Sequence, residues 1–240
     1  MKRNTEIKKE VKKRYGQLAK EGSSCCPDYS CCDIGYSIEE IKDLPSDISE
    51  FSLGCGNPVA LSGLKKGEFV LDIGSGGGLD AFLASKKVGP NGRVIGIDMT
   101  KEMLEKARQN ARKANYKNVE FRLGEAENIP VKDNSIDLVM SNCVINLVPD
   151  KEKVYREIYR VLKPGGRFIV SDLVTERGLD ESIKNNPEKL VACVGGALTE
   201  KEYIHTIKKA GFKKIKILKK SSMVVSGINV LSETIKGEKR

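Results

Sequence analysis

"VLDIGSGGGLD", residues 70–80, decides the fold. A short apolar run ends around Asp72, glycines alternate at 74, 76 and 78, and a helical pattern begins at Leu79. Strand, tight glycine turn and helix in that order open a βαβ unit. Without Cβ atoms the backbone turns sharply and lies close to a ligand. A nicotinamide fingerprint needs its third glycine one residue later, where this chain has Leu79. The loop has no basic residue, and the carboxylate of Asp72 would repel a pyrophosphate. It suits a ligand that carries an ammonium group.

Downstream the alternation is regular. "RVIGIDM" reads as a second strand, "TKEMLEKARQNARKAN" as a helix capped by Thr100, "VEFRLG" and "IDLVMSN" as a third and fourth strand. "DKEKVYREIYRVLKPGG" reads as a helix stopped by Pro164 and Gly165, and "RFIVSD" as a fifth strand. Helices are expected over roughly 180–193 and 199–210. "KKIKILKK" and "SSMVVSGINVLSE" follow with almost nothing between them, which only an antiparallel pair permits. The whole is an α/β fold with a parallel sheet covered on both faces. Asp98 ends the second strand, 26 residues after Asp72, where a carboxylate accepts hydrogen bonds from both ribose hydroxyls. "GEAENIP", residues 124–130, follows the third strand, where an adenine edge is read, and Asn142 and Cys143 follow the fourth.

"VLDIGSGGG", the acidic "GIDM" and "VLKPGGRFIVSD" together resemble the class I S-adenosylmethionine-dependent methyltransferases over about residues 55–232. The resemblance implies a Rossmann-like, seven-stranded, mostly parallel sheet with an antiparallel last strand, preceded by a cysteine-bearing N-terminal extension. It implies S-adenosylmethionine held by Asp72, Gly74, Ser75, Gly76, Gly78, Asp98, Met99, Ala126, Glu127 and Asn142. Three segments are expected: residues 1–50 with the N-terminal helix and cysteine-rich loop, 51–175 with the donor-binding domain, and 176–240 with the closing helices and strand pair.

The acceptor is a separate question. Cys143 follows "VMSN" at a strand end facing the methyl donor; taken alone it is a small apolar filler. Cys55 in "LGCGNP" and Cys193 in "ACVGGAL" sit in glycine-containing text without the apolar neighbours of a core cysteine. They stand 88 and 50 residues from Cys143 and meet it only in three dimensions. Three converging thiolates suit a soft centre. Zinc wants a fourth ligand, whereas trivalent arsenic prefers a three-sulfur pyramid with its lone pair free. A positive potential nearby would favour the thiolates.

"GCGNP" at 54–58, "GIDMTKEMLEKAR" at 96–108, "SNCVINLVPDK" at 141–151 and "CVGGA" at 193–197 bring the chain close to the bacterial and archaeal arsenite methyltransferases. That resemblance implies arsenic(III) on Cys55, Cys143 and Cys193, and thiol exchange by an upstream cysteine, Cys25 or Cys26, with Cys26 preferred. It implies methyl transfer to arsenic as a detoxification, and an external thiol reductant of the thioredoxin or glutathione type. Cys25, Cys26, Cys31 and Cys32 in "SSCCPDYSCC" read as a mobile redox loop or, in the plainer alternative, a zinc site. The other readings of the chain are a class I methyltransferase for another small molecule and a thiol-rich metalloid- or zinc-binding protein.

The bulk numbers agree. In 240 residues the net charge is +9, but the lysines are scattered and aromatics make up only 5%, so no nucleic-acid surface is expected. The charged N-terminus lacks a secretory pattern and no apolar run reaches a membrane-spanning length, so a cytoplasmic protein without membrane partners is expected. Reduced thiols follow from that compartment. The single histidine, His205, lies in helical text away from every motif.

Overall fold

The computed structural model describes residues 2–22, 32–42, 44, 48 and 54–240. Cys25, Cys26 and Cys31, and with them the thiol-exchange role expected of Cys26, lie outside the described residues. α1 (Lys2–Glu21), α2 (Ile38–Ile41) and α3 (Pro58–Leu61) precede the sheet. The repeating unit then begins: β1 (Phe69–Ile73), α4 (Leu79–Val88), β2 (Arg93–Asp98), α5 (Lys101–Lys113) and β3 (Val119–Leu123). β4 (Ile136–Asn142), α6 (Lys151–Val161) and β5 (Leu162–Thr175) complete the parallel part. α7 (Glu181–Lys184), α8 (Pro187–Val191), the two-residue β6 (Leu198–Thr199) and α9 (Glu200–Lys209) lead to the hairpin of β7 (Lys213–Val225) and β8 (Ile228–Glu238).

The strand order is β3-β2-β1-β4-β5-β8-β7, with β6 beside the end of β5. β8 runs antiparallel to both β5 and β7. Apart from β6, this is the seven-stranded sheet that the sequence implies. The alternation of side chains across a strand divides the core in two. Leu71, Ile73, Val139 and Phe168 face Tyr155 and Ile158 of α6 and Phe212 beyond α9. Val70, Val94, Met140 and Ile169 face Phe82 of α4 and Leu104 of α5. Each such fully buried side chain contributes about 1.5–3 kcal/mol. Arg167 on β5 clamps Glu68 ahead of β1 with paired contacts of 2.8 and 2.9 Å, so the two strands that flank the central β4 are also tied to each other.

Three boundaries differ from the sequence reading. α6 ends at Val161, and Leu162 is already extended at φ −67, ψ 137, because residues approaching Pro164 are pushed out of the α region. The helix expected over 180–193 breaks in two, since Asn186 caps a new turn with Pro187 in its first position. The final hairpin turns at Ser226-Gly227, with φ 51 and 76, and not between Lys220 and Ser221. Two consecutive positive φ angles are what a two-residue hairpin demands.

α1 lies across the carboxyl ends of the strands. Leu18 is buried against Met103 of α5, and Val11 enters an apolar cluster with Leu147, Leu173 and Val230. Lys8 pairs with Glu125 at 2.7 Å and with Glu127. Among the described residues, no helix is long and apolar enough to cross a membrane. His205 is exposed on α9.

Candidate active site

One cleft opens over the carboxyl ends of β1, β2, β3 and β4. Its floor is the glycine loop. Gly74, Gly76 and Gly78 have φ of 70, 50 and 100. A Cβ on Gly74 would lie 2.3 Å from Val144, and one on Gly78 2.5 Å from Phe82, whereas nothing stands within 4 Å of that point at Gly76. Two of the glycines are therefore required for packing, and the third leaves an open approach for a ligand. Asp98 ties the loop down: one carboxylate oxygen accepts from Gly76 N at 3.0 Å and the other from Thr100 N at 2.8 Å. Ser75, Met99, Ala126, Glu127 and Asn142 line the same cleft.

Asp72 is buried at the end of β1, and its Oδ2 meets no hydrogen-bond partner among the described residues. Burial, reinforced by the charges of Asp80 and Asp98, pushes its carboxyl well above the usual range. Ser75 Oγ is likewise buried without a partner. An orphaned carboxylate oxygen beside an open glycine cradle fits a ligand that brings an ammonium group, as the sequence requires of S-adenosylmethionine.

The three distant cysteines converge beside this cleft. Cys55, Cys143 and Cys193 belong to one buried cluster with Leu147, Leu173 and Val194. The Cys193 thiol donates to the Cys143 carbonyl at 3.1 Å, and Cys143 lines the cleft itself. Tyr15 of α1 stands over Cys193, with its hydroxyl 3.9 Å from the sulfur. The sequence predicted no apolar surroundings for Cys55 and Cys193, and this is corrected: the walls come from α1, β5, β7 and β8, and at Cys193 also from Ala192 and Val194.

Backbone strain aims two of these thiols. Cys143 has φ 59 and Cys193 φ 65, the left-handed region that costs a non-glycine residue on the order of 1–3 kcal/mol. Cys193 occupies the position after α8 that glycine usually takes, with its N–H bonded to Leu190 O at 3.1 Å. Cys143 leaves β4 with its N–H on Ser171 O at 2.8 Å. Such strain clusters at functional sites.

Two residues that build this site, Ser232 and Asp172, were not assigned from the sequence, and Asn142 does more than the sequence assigned to it. Asn142, expected only to touch the donor, also holds Cys55: its Oδ1 accepts from Cys55 N at 3.0 Å, and its Nδ2 lies 2.7 Å from Gly56 O and 3.0 Å from Asp80. Ser232 of β8 fixes the other side by donating to Cys55 O at 2.5 Å. Asp172, at the end of "RFIVSD", is the second. Its carboxylate lies within 4.8 Å of the sulfurs of Cys55 and Cys143, and all three are buried. A carboxylate within the fifth strand, in "RFIVSD", was the available signal.

The electrostatics also differ from expectation. The hydrogen bond from Cys193 favours the Cys143 thiolate, but the bond to Cys55, burial and the charge of Asp172 outweigh it and hold the thiol well above its ordinary range. The nearby cation is Lys151, itself lowered to about 8 by burial. The free site is thus not a positive pocket, and a bound electrophile must draw the thiols into their ionised form.

A family model described as a methyltransferase domain matches residues 64–211. An arsenite methyltransferase of Halobacterium salinarum is 41% identical over 233 residues, which cover 90% of this chain and 59% of the relative. The human arsenite methyltransferase is 36% identical across 88% of this chain and 59% of its own length. The crystal structure of an arsenic(III) S-adenosylmethionine methyltransferase from Chlamydomonas reinhardtii is similar with a TM-score of 0.75 at 35% identity, covering 84% of this chain and 72% of that one. The chain spans about three fifths of the length of the curated relatives it matches.

Proposed function

This chain belongs to the arsenite methyltransferases, a branch of the methyltransferase-domain family, and from that membership we propose that it methylates trivalent arsenic held on Cys55, Cys143 and Cys193. The observation that carries the reading is one buried cluster that holds Cys55, Cys143 and Cys193, two of them on strained backbone, with Cys143 at the wall of the donor cleft. Asp72, the 74–78 loop, Asp98 and the turn at 124–127 are the residues to hold S-adenosylmethionine, which when bound supplies an electrophilic methyl group on a sulfonium sulfur.

The rest of the chemistry falls to the chain's own groups. Arsenite exchanges its three hydroxides for three thiolates. Each thiol proton leaves with a hydroxide as water, so the exchange balances without a base. Three sulfurs leave the arsenic lone pair as the nucleophile, and it carries no proton to remove. The single histidine, His205, is exposed on α9, and this transfer asks for no base. The buried apolar wall excludes competing water, and holding acceptor and donor together is worth on the order of 7–11 kcal/mol.

Alkylation formally raises arsenic to the pentavalent state, and two electrons must return it. Cys25 or Cys26, with preference for Cys26, is the proposed thiol that supplies them with Cys55 by forming a disulfide. An external thiol of the thioredoxin or glutathione type then restores the pair, which suits a cytoplasmic setting.

The test is to incubate the purified chain with arsenite, labelled donor and a thiol, and to separate the arsenic products. Labelled methylarsenicals are expected from the wild type, with a loss of at least about 100-fold in Cys143→Ser, given the size of effects when a positioned group is removed. Methylation of some other small molecule that survives Cys143→Ser overturns the reading.

A further inference from the structure

Three sulfurs satisfy trivalent arsenic, yet the cluster contains a fourth donor. Asp172 has a relative exposure of 1%, and its oxygen and the sulfurs of Cys55 and Cys143 all lie within 4.8 Å of one another. In a triangle with sides no longer than that, some point lies within about 2.8 Å of all three atoms. Zinc bonds sulfur at about 2.3 Å and carboxylate oxygen at about 2.0–2.2 Å. A contraction of roughly 0.5–0.8 Å per ligand therefore makes a ligand set. Cys193, whose thiol donates to the Cys143 carbonyl at 3.1 Å, lies nearby but outside this set.

The carboxylate is also oriented as metal ligands are. Oδ1 accepts from Leu173 N at 3.0 Å, and Oδ2 accepts from Asn146 N at 3.1 Å and from the Tyr203 hydroxyl at 3.0 Å. Such outer hydrogen bonds fix a ligating carboxylate. Charge selects the occupant. Two thiolates and Asp172 carry three negative charges, and Lys151 beside them carries one positive. A divalent cation brings the cluster to neutrality; a monovalent one does not. Thiolate ligands select zinc-like ions over magnesium or calcium.

We propose that Cys55, Cys143 and Asp172 form a binding site for a thiophilic divalent cation, zinc or cadmium, which competes with arsenite for the same thiols. The proposal rests on the arsenic-site reading and adds to it. Asp172 is a ligand for the cation only, because arsenic completes its valence with sulfur. Zinc occupancy therefore blocks arsenite, and the site passes between a metal-held state and a substrate-held one.

The experiment titrates cadmium into the full chain with Cys25, Cys26, Cys31 and Cys32 changed to serine, so that the N-terminal loop does not contribute. The thiolate-to-cadmium charge-transfer band reports binding. One cadmium per chain is expected, abolished by prior addition of one equivalent of arsenite. Asp172→Asn should weaken cadmium binding by about 10–100-fold, the scale of a lost metal-site contact. Cadmium binding that persists beside bound arsenite overturns the proposal, as does an Asp172→Asn protein that binds cadmium as the parent does. If Asp172→Asn does not fold, the arsenite competition decides alone. Failure of the wild type to make methylarsenicals is a separate outcome: it sinks the methylation reading and leaves the cadmium titration standing.

Discussion

At the scale of single residues, Asn142 couples the two halves of the site. It sits at the end of β4, and one side-chain amide reaches the backbone on both sides of Cys55 as well as Asp80 and Tyr36. A Cβ on Gly54 would lie 2.4 Å from that amide, so the 54–57 loop must carry glycine to approach it. Asn142→Ala leaves the Cys55 N–H and Gly56 carbonyl unsatisfied, a cost of about 1–3 kcal/mol. The loop should swing away and Cys55 should stop reporting as an arsenic ligand. Counting thiols protected by arsenite should give two per chain in place of three; three in the variant would show that Asn142 does not position Cys55. Asp172 drew no role from the sequence and was detectable only as the carboxylate of "RFIVSD" on the fifth strand.

At the scale of elements, α1 is more than an extension. Its apolar stripe of Ile7, Val11, Tyr15 and Leu18 is legible from spacing alone. The spacing did not say that the stripe covers the cysteine cluster, with Lys8 on Glu125 and Tyr15 over Cys193. Leu18→Ala, at a fully buried position against Met103, should cost about 2–4 kcal/mol of α1 docking. Because α1 packs on the sheet's edge and is not woven into it, the loss should be local. Hydrogen exchange should rise in α1 and in residues 190–194, while β1 and β4 stay protected. Equal loss of protection in the central strands would mean that α1 unfolds only with the whole domain.

At the scale of the whole molecule, the buried carboxylates set a pH dependence. Burial raises Asp80 and Asp172 from an ordinary 3.8 to about 6 in the folded chain. The folded state then holds these protons more tightly than the unfolded state. The ionisation penalty is absent below about pH 4 and complete above about pH 6, so this contribution to stability falls as pH rises through that window. Each group accounts for a loss on the order of 3 kcal/mol. Lys151, lowered to about 8, titrates outside the window. Asp80→Asn should therefore match the parent in urea unfolding near pH 4 and exceed it near pH 7. A difference that does not change with pH would mean that Asp80 ionises freely in the fold.

The sequence by itself determined the class of fold and the type of ligand. Strand, alternating glycines and helix, with Asp72 and Asp98 at strand ends, are local patterns, and local patterns reflect backbone sterics and periodicity that any chain must obey. It also supplied the three cysteines, because "GCGNP", "SNCVINL" and "CVGGA" are distinctive as text. The tertiary structure alone decided what surrounds them: the apolar wall, the raised thiol of Cys143, the grip of Asn142 on Cys55 and the carboxylate of Asp172 beside two sulfurs. Such features join residues far apart in the chain; Cys55 and Ser232 stand 177 positions apart. Burial, field and distance are properties of the assembled volume, and one-dimensional spacing does not encode them.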